Sequence, residues 1–423
     1  MLLSLKSLLP RSEFGRNVIT LMTGTAIAQA IPISVTPILT RIYTPEDFGV
    51  FAMFIAITSI LGSVVNGRYE LAIMLPVKDE DAINIAALGL LIATFFSLLL
   101  LIPTIFFNRY IVDLVGNPAI GYWLYFVPFV VLMAGLYNIL NYLNTRKKLF
   151  GDIAKANVYK SIGMTSVQLG IGFIKSGAGG LISGQIISFI ISNCWLAITA
   201  KQKYDTTVVG KLEIIRLAKK YKDFPQFSMC AILSNTLAYN LSNILISIYY
   251  SVSTLGFYSL AQRALLVPTS LIGRSIAQVY FQQAMIEKQK TGKAIHSFNS
   301  ASKKLFVLSI ITFVPIYFIL QPVFEFVFGK EWRIAGEYAQ ITLPFVAIQF
   351  IAAALSNTNN IFEKQKIELI LQIGLFVLSI GIIFSLNILE YEFIDLLKVL
   401  SCSLFFYYGL LYLILWAVSR GRL

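Results

Sequence analysis

At 423 residues, with 57% hydrophobic and only 13% charged side chains, the chain is too apolar for a soluble globular protein. Its formal net charge of +13 accompanies apolar runs of 18 or more residues along the whole length, which marks membrane-spanning helices and excludes a nucleic-acid binder. The three cysteines, Cys194, Cys230 and Cys402, sit singly inside those runs, so neither a disulfide framework nor a cysteine metal cluster is expected.

Twelve spans are predicted. The first lies near 17–39. Its Ala28-Gln29-Ala30 looks like a signal-peptide cleavage site after a basic start, but the apolar run continues to Leu39 and more membrane follows. An uncleaved span is therefore expected. Thr44-Pro45-Glu46-Asp47 then reads as a helix start, with Thr as cap, Pro in the first position and acids in the first turn. It opens the second span, 48–75. The acidic run Asp79-Glu80-Asp81 has no nucleotide-binding fold beside it and precedes the third span, 83–103. Spans four to six lie near 121–145, 158–175 and 180–200. Gly177-Ala178-Gly179-Gly180 reads as a hairpin there, because no Lys-Ser/Thr follows to make a phosphate cradle.

The segment 201–223 is the longest between spans. From Lys211 to Lys222 it carries apolar residues at helical spacing and a basic face, which predicts an amphipathic helix on the inner leaflet linking two halves. Spans seven to twelve follow near 224–250, 256–280, 304–322, 337–362, 367–388 and 395–417. The lone His296 falls in a basic inner loop, and Asp395 and Lys398 flank the start of the last span as anchors.

With the N-terminus inside, the inner segments hold 25 of the 34 Lys and Arg, as the positive-inside rule requires. Both termini are expected to be cytoplasmic, and the excess charge faces the anionic lipids of that leaflet. Arg68, Arg263, Arg274 and Lys398 fall within spans. No outer loop exceeds about twenty residues, which leaves no room for an enzyme whose site occupies a large external loop.

The chain also repeats itself. Pro37-Ile38-Leu39-Thr40-Arg41-Ile42-Tyr43 recurs 206 residues later as Asn243-Ile244-Leu245-Ile246-Ser247-Ile248-Tyr249. Gly67-Arg68 and Gly273-Arg274 each follow the Tyr by 24 residues. A second echo, at offset 216, sets Pro128-Phe129-Val130, Asn141 and Asn144 against Pro344-Phe345-Val346, Asn357 and Asn360. Six spans per half give both halves the same topology. The expected fold is an all-α membrane protein of twelve transmembrane helices, in two pseudo-two-fold-related six-helix bundles around a central cavity. Residues 1–200 would form the N-terminal bundle, 201–223 a cytoplasmic linker and 224–423 the C-terminal bundle. Prolines such as Pro32, Pro37, Pro268 and Pro344 would kink the spans.

The charges inside the spans are the sharpest functional signal, since each costs about 2.5–3.5 kcal/mol to insert near the bilayer centre. Arg68, Arg263 and Arg274 would form a cationic site in a wet cavity. Arg68 and Arg274 lie toward the cytoplasm and Arg263 nearer the outside, a ladder suited to an anionic headgroup. Ordinary snorkelling to the inner interface is the competing use of Arg68 and Arg274. Glu70 stands two residues from Arg68, which on a continuous helix keeps the two apart, and it is the candidate for ion coupling. Gln29, Asn235 and Asn240 are placed to bind substrate if the first and seventh spans face each other. Asn138, Asn141 and Asn144 suit sugar hydroxyls, but interhelical hydrogen bonding explains them better. The repeat breaks at two of these charges: Arg263 has Ile57 as counterpart, and Glu70 has Ile276.

The run Pro37-Ile-Leu-Thr-Arg-Ile-Tyr-Thr-Pro-Glu-Asp-Phe-Gly-Val-Phe51, followed by Gly67-Arg-Tyr-Glu-Leu-Ala-Ile-Met-Leu-Pro76, resembles the Wzx-type O-antigen and capsule repeat-unit flippases. These are polysaccharide biosynthesis transporters of the multidrug/oligosaccharidyl-lipid/polysaccharide exporter superfamily. The resemblance implies flipping of undecaprenyl-diphosphate-linked oligosaccharide across the bacterial inner membrane, for O-antigen (lipopolysaccharide), capsule or exopolysaccharide synthesis. It also implies spans one, two, seven and eight around the cavity, membrane lipids as surroundings, and a polysaccharide polymerase and chain-length regulator as partners. No cofactor and no nucleic acid are expected; H+ or Na+ would drive transport. Two alternatives stay open: a multidrug or small-cation exporter of the same superfamily, which should carry intramembrane acids, and a membrane-embedded glycosyltransferase or polymerase, which should carry acidic catalytic residues near a sizeable loop.

Overall fold

Long apolar runs with few turn residues can satisfy their backbone in lipid only as helices, and helices account for all the regular structure among the described residues. The computed structural model describes residues 13–174, 177–362 and 364–421. Lys6, Arg11, Lys175 and Arg422, part of the charge asymmetry, lie outside them. The first helices are α1 (Glu13–Ile42), α2 (Pro45–Val64), α3 (Tyr69–Ala72), α4 (Asp79–Phe106), α5 (Asn108–Val115), α6 (Gly121–Leu124), α7 (Val127–Arg146), α8 (Phe150–Ile174) and α9 (Gly179–Lys201). They continue as α10 (Lys211–Lys220), α11 (Met229–Tyr249), α12 (Val252–Thr291), α13 (Ile295–Phe328), α14 (Arg333–Leu355), α15 (Asn357–Ile361), α16 (Gln365–Ile388) and α17 (Phe393–Ser419).

Among the described residues, nine helices are long and apolar enough to cross a membrane, ten if the bent pair Phe224–Leu237 and Tyr239–Tyr249 is counted as one span. α8 and α12 are also long, at 25 and 40 residues. Their hydropathy is lowered by polar residues that include Lys155 and Lys160 in one and Arg263 and Arg274 in the other. The protein is an all-helical, multi-pass membrane protein, and a helix of twenty residues or more stands where each of the twelve spans was predicted.

Two compact units divide the chain, Met1–Thr236 and Leu237–Leu423, with the division inside α11. Within the first, α4 packs on α7, α7 on α2 and α9, and α8 on α1 and α9. Within the second, α13 packs on α14, α14 on α12 and α17, and α16 on α17. Shifted by the offsets of the sequence repeat, these are largely the same helix pairs.

Local chemistry explains the joints. Thr44 and Asp47 form the predicted capping box at the start of α2, Asp47 N–H donating to Thr44 Oγ1 at 3.2 Å and Thr44 N–H to Asp47 Oδ2 at 3.0 Å. The acidic run at the start of α4 is a staple. Asp79 takes Arg146 at 3.0 Å and also Lys147, both at the end of α7, while Asp81 takes Arg216 of α10 at 2.6 Å. The amphipathic helix α10 buries Leu217 completely in the first unit. Tyr69 donates to its Ala218 carbonyl at 3.0 Å, and Asn84 Oδ1 receives Gly210 N–H at 2.9 Å. Its opposite side leaves Leu212 82% exposed.

Tyr43, which ends the first copy of the repeat motif as Tyr249 ends the second, is buried and donates from Oη to the Gln168 carbonyl at 2.6 Å. Gly172 and Gly180 make room for that ring: a Cβ at Gly180 would lie 1.9 Å from Tyr43 Oη. Gly180→Ala should therefore destabilise the protein by about 1–3 kcal/mol through overpacking. In thermal unfolding of detergent-purified protein, Tyr43→Phe should recover part of that loss in the Gly180→Ala background; strictly additive losses would show that the ring is not the obstacle.

Candidate functional site

The second predicted span, 48–75, is not continuous. α2 ends at Val64, and Gly67 and Arg68 both adopt left-handed backbone, at φ 58° and 63°. Glycine accepts this at no steric cost, whereas Arg68 bears a penalty of about 1–2 kcal/mol. Asn66 secures the turn, donating from Nδ2 to the carbonyls of Gly89 on α4, at 3.3 Å, and Gly135 on α7, at 3.2 Å. Gly135 must be small here, since a Cβ would meet Val65 at 3.0 Å and Ala93 at 3.1 Å.

This break overturns the expectation that Arg68 and Glu70 do not face each other. Left-handed backbone at Arg68 turns its side chain onto Glu70, and Arg68 Nη1 donates to Glu70 Oε1 at 3.1 Å. The guanidinium is 21% exposed and the carboxylate 3%. Arg68 Nε also donates to Ser228 Oγ at 3.3 Å. Ser228 ends a π-helical turn, Phe224–Ser228, that leads into α11. The second carboxylate oxygen, Glu70 Oε2, is buried with no hydrogen-bond partner among the described residues.

Arg68 and Glu70 open onto a cavity of about 510 Å³ inside the first unit. Thr58, Ser59 and Ser63 of α2, Asn138 and Asn141 of α7 and Gln185 of α9 give it polar walls. Lys160 of α8 enters it as well, 4.5 Å from the Tyr137 ring centroid and 4.0 Å from that of Phe189. The two aromatic faces stabilise the ammonium by cation–π attraction. No hydrogen bond or ion pair holds Lys160 among the described residues. Its neighbour Tyr137 donates to Asn157 Oδ1 at 2.7 Å. Two cations and one carboxylate leave the cavity with a net positive charge.

Lys160 stands at the edge of the predicted fifth span, 158–175, and escapes the sequence reading because it is counted with the basic inner segment before that span. The signal was present. α8 begins at Phe150, so Lys160 stands ten residues, or ~15 Å, along a helix. The asparagine ladder of α7 divides between two uses. Asn144 is buried and donates to the carbonyls of Leu140 and Leu196 at 2.8 and 3.1 Å, a packing role, while Asn138 and Asn141 line the cavity.

The other expected site residues are distributed as follows. Gln29 lies on α1, its Oε1 buried without a hydrogen-bond partner among the described residues. Asn235 and Asn240 lie on α11 on either side of the unit division. Arg263 and Arg274 both belong to α12, Arg263 being half-buried, and the Arg274 side chain lies outside the described residues. Arg274 sits within a continuous helix while its repeat partner Arg68 sits in a turn, so the pair shares a sequence position but not a backbone conformation.

Fold and cavity together define a class: a multi-pass, all-helical membrane protein built from two units that repeat a packing scheme, each with an interior cavity. A family model described as polysaccharide biosynthesis protein matches residues 38–336, and the chain belongs to that family. A search of curated proteins by sequence finds no match. Among solved structures, the chain is similar to the lipid II flippase MurJ in an inward closed conformation, with TM-score 0.70 and 16% identity over 95% of this chain and 87% of that one. It is also similar to a MOP superfamily transporter from Pyrococcus furiosus noted for the reverse polarity of its binding pocket, with TM-score 0.60 and 14% identity over 96% of both chains. An inward-facing multidrug resistance MATE family transporter of the MOP superfamily aligns with TM-score 0.55 and 13% identity, over 93% of this chain and 95% of that one. At these identities the likeness is one of fold.

The buried pair at the break makes a direct prediction. Arg68→Ala should cost about 1.5–3 kcal/mol, because Glu70 loses a charge-assisted hydrogen bond. Adding Glu70→Gln should restore most of it in thermal unfolding. A double variant no more stable than Arg68→Ala alone would show that the two side chains are not energetically coupled.

Proposed function

We propose that the protein flips a glycan linked to undecaprenyl diphosphate from the cytoplasmic to the outer leaflet of the bacterial inner membrane, by alternating access. The net positive cavity of the first unit carries the proposal. A diphosphate brings negative charge into a low-dielectric site, where Lys160 supplies a point charge and Arg68 a planar, permanently charged fork. Asn138, Asn141 and Gln185 offer the donors and acceptors that sugar hydroxyls need. Membership of a polysaccharide biosynthesis family and the likeness to a lipid II flippase support the same cargo class. In this reading Arg263, Arg274, Gln29, Asn235 and Asn240 assist along the route, and the product feeds a polysaccharide polymerase for O-antigen, capsule or exopolysaccharide.

The geometry also supports a coupling role for Glu70. A diphosphate that engages Arg68 competes with the Glu70 carboxylate for the same donors. Losing its cation, a carboxylate 3% exposed is driven to take up H+, or to hold Na+ in its place. The small-cation exporter has less support, because the carboxylate in this cavity is already neutralised by Arg68.

Two measurements test the proposal in vesicles reconstituted with the protein and lipid-linked glycan. Lys160→Gln should lower translocation at sub-saturating substrate by about tenfold or more, the equivalent of one charge-assisted hydrogen bond; wild-type rates at equal protein levels would sink the cationic site. Glu70→Gln should transport with little response to an imposed proton or sodium gradient. Full gradient dependence in that variant would remove Glu70 from coupling.

A further inference from the structure

A second cavity, of about 520 Å³, lies wholly inside the second unit, with Tyr239 on α11, Thr269, Ser270 and Gly273 on α12, and Gln349 and Phe350 on α14 among its lining. The sequence repeat sets it in register with the first. At offset 206 Ser63 corresponds to Thr269, and at offset 216 Val130 corresponds to Val346 and Ala134 to Phe350; all six line one cavity or the other.

Same register, different chemistry. Asn138 is replaced by Ala354, and Glu70 by Ile276, while the apolar Met133 gives way to Gln349. The described residues of this second lining carry no charge. Beside the aliphatic Leu266, Ala277, Val346, Ala353 and Ala354, they present two aliphatic hydroxyls, a phenol, an amide and an aromatic face.

Gln349 is the group that points to an occupant. Its Nε2 donates to Tyr408 Oη at 2.8 Å, which orients the amide. Its Oε1 is buried and accepts no hydrogen bond among the described residues. A buried acceptor without a donor is costly, and an isoprenoid chain filling the cavity would leave it so. A diphosphate, which carries no donor to offer and much charge to neutralise, leaves that acceptor unsatisfied and is better matched by Arg68 and Lys160 of the first cavity. A sugar hydroxyl donates to such an oxygen, Thr269 Oγ1, whose own proton goes to the Leu265 and Leu266 carbonyls at 2.9 Å, can accept from another, and the Phe350 ring takes the apolar face of a pyranose.

We infer that the cavity of the second unit binds the neutral sugar portion of the cargo. The inference rests on the flippase reading above and adds a glycan subsite to it.

The test is a binding comparison on the full-length protein in lipid nanodiscs. The probes are undecaprenyl diphosphate without sugar, and the lipid-linked oligosaccharide extracted from the source cells. Gln349→Leu should weaken binding of the glycan-bearing lipid by about tenfold while changing the sugar-free lipid by less than about twofold. Equal losses for both lipids would assign the cavity to the isoprenoid or to the scaffold and overturn the subsite. Unchanged affinity for both would overturn it equally. Ser270→Ala examines the same wall independently, and the same split between the two lipids is expected wherever Gln349→Leu lowers the melting temperature. Wild-type protein that bound neither lipid would instead bring down the flippase reading, so the two failures are distinguishable.

Discussion

A helix that stops inside a hydrocarbon layer must settle its own polar groups, because lipid offers them nothing. The turn at Asn66-Gly67-Arg68 meets this demand with backbone bonds from Gly67 to Val64 at 2.9 Å and from Tyr69 to Asn66 at 3.2 Å. The Asn66 amide then ties the turn to two neighbouring helices at once. The charged cavity depends on that arrangement. Only because the helix breaks does Arg68 swing onto Glu70, and only because Gly135 is small can α7 approach closely enough to receive the turn. Left-handed backbone at an arginine is strain held in place by its surroundings, and it sits where the chemistry is.

The two units solve one packing problem twice and then diverge in what they line their cavities with. In the first, two cations and an acid share a space with amides. In the second, the described lining is of hydroxyls, an amide, aromatic rings and aliphatic side chains. Duplication supplies a scaffold whose halves are free to specialise, since helix packing depends on small and apolar faces that both copies keep. The proposed cargo, an anionic diphosphate joined to a neutral glycan, is asymmetric in the same way.

Much of the architecture was legible beforehand because the signals are local and strong. Runs of apolar residues predict spans from length alone, and the Thr44 capping box follows from four adjacent residues. The break in the second span was not legible. Asn66-Gly67-Arg68 stands in an apolar run that reads as continuous, and an Asn in a membrane helix is as readily a packing residue as a turn residue. Arg68 and Glu70 were therefore kept apart by a helical rule that does not apply to them. Lys160 went unnoticed for a related reason: at the edge of the predicted fifth span, it looks like part of the basic segment before it until the helix start is known.

The chain by itself determined the class of protein, the number and order of its long helices, the repeat, and the presence of costly charges within it. Those features follow from composition, period and register, which are properties of neighbours along the chain. Tertiary structure alone decided which charges share a cavity, which asparagines pack and which are left to line a space, and that Lys160 lies between two aromatic rings. Such facts depend on residues far apart in sequence, Arg68 with Ser228 and Lys160 with Tyr137 and Phe189, brought together by close helix packing. No local pattern encodes those meetings, because what selects them is the fit of whole helix faces against one another.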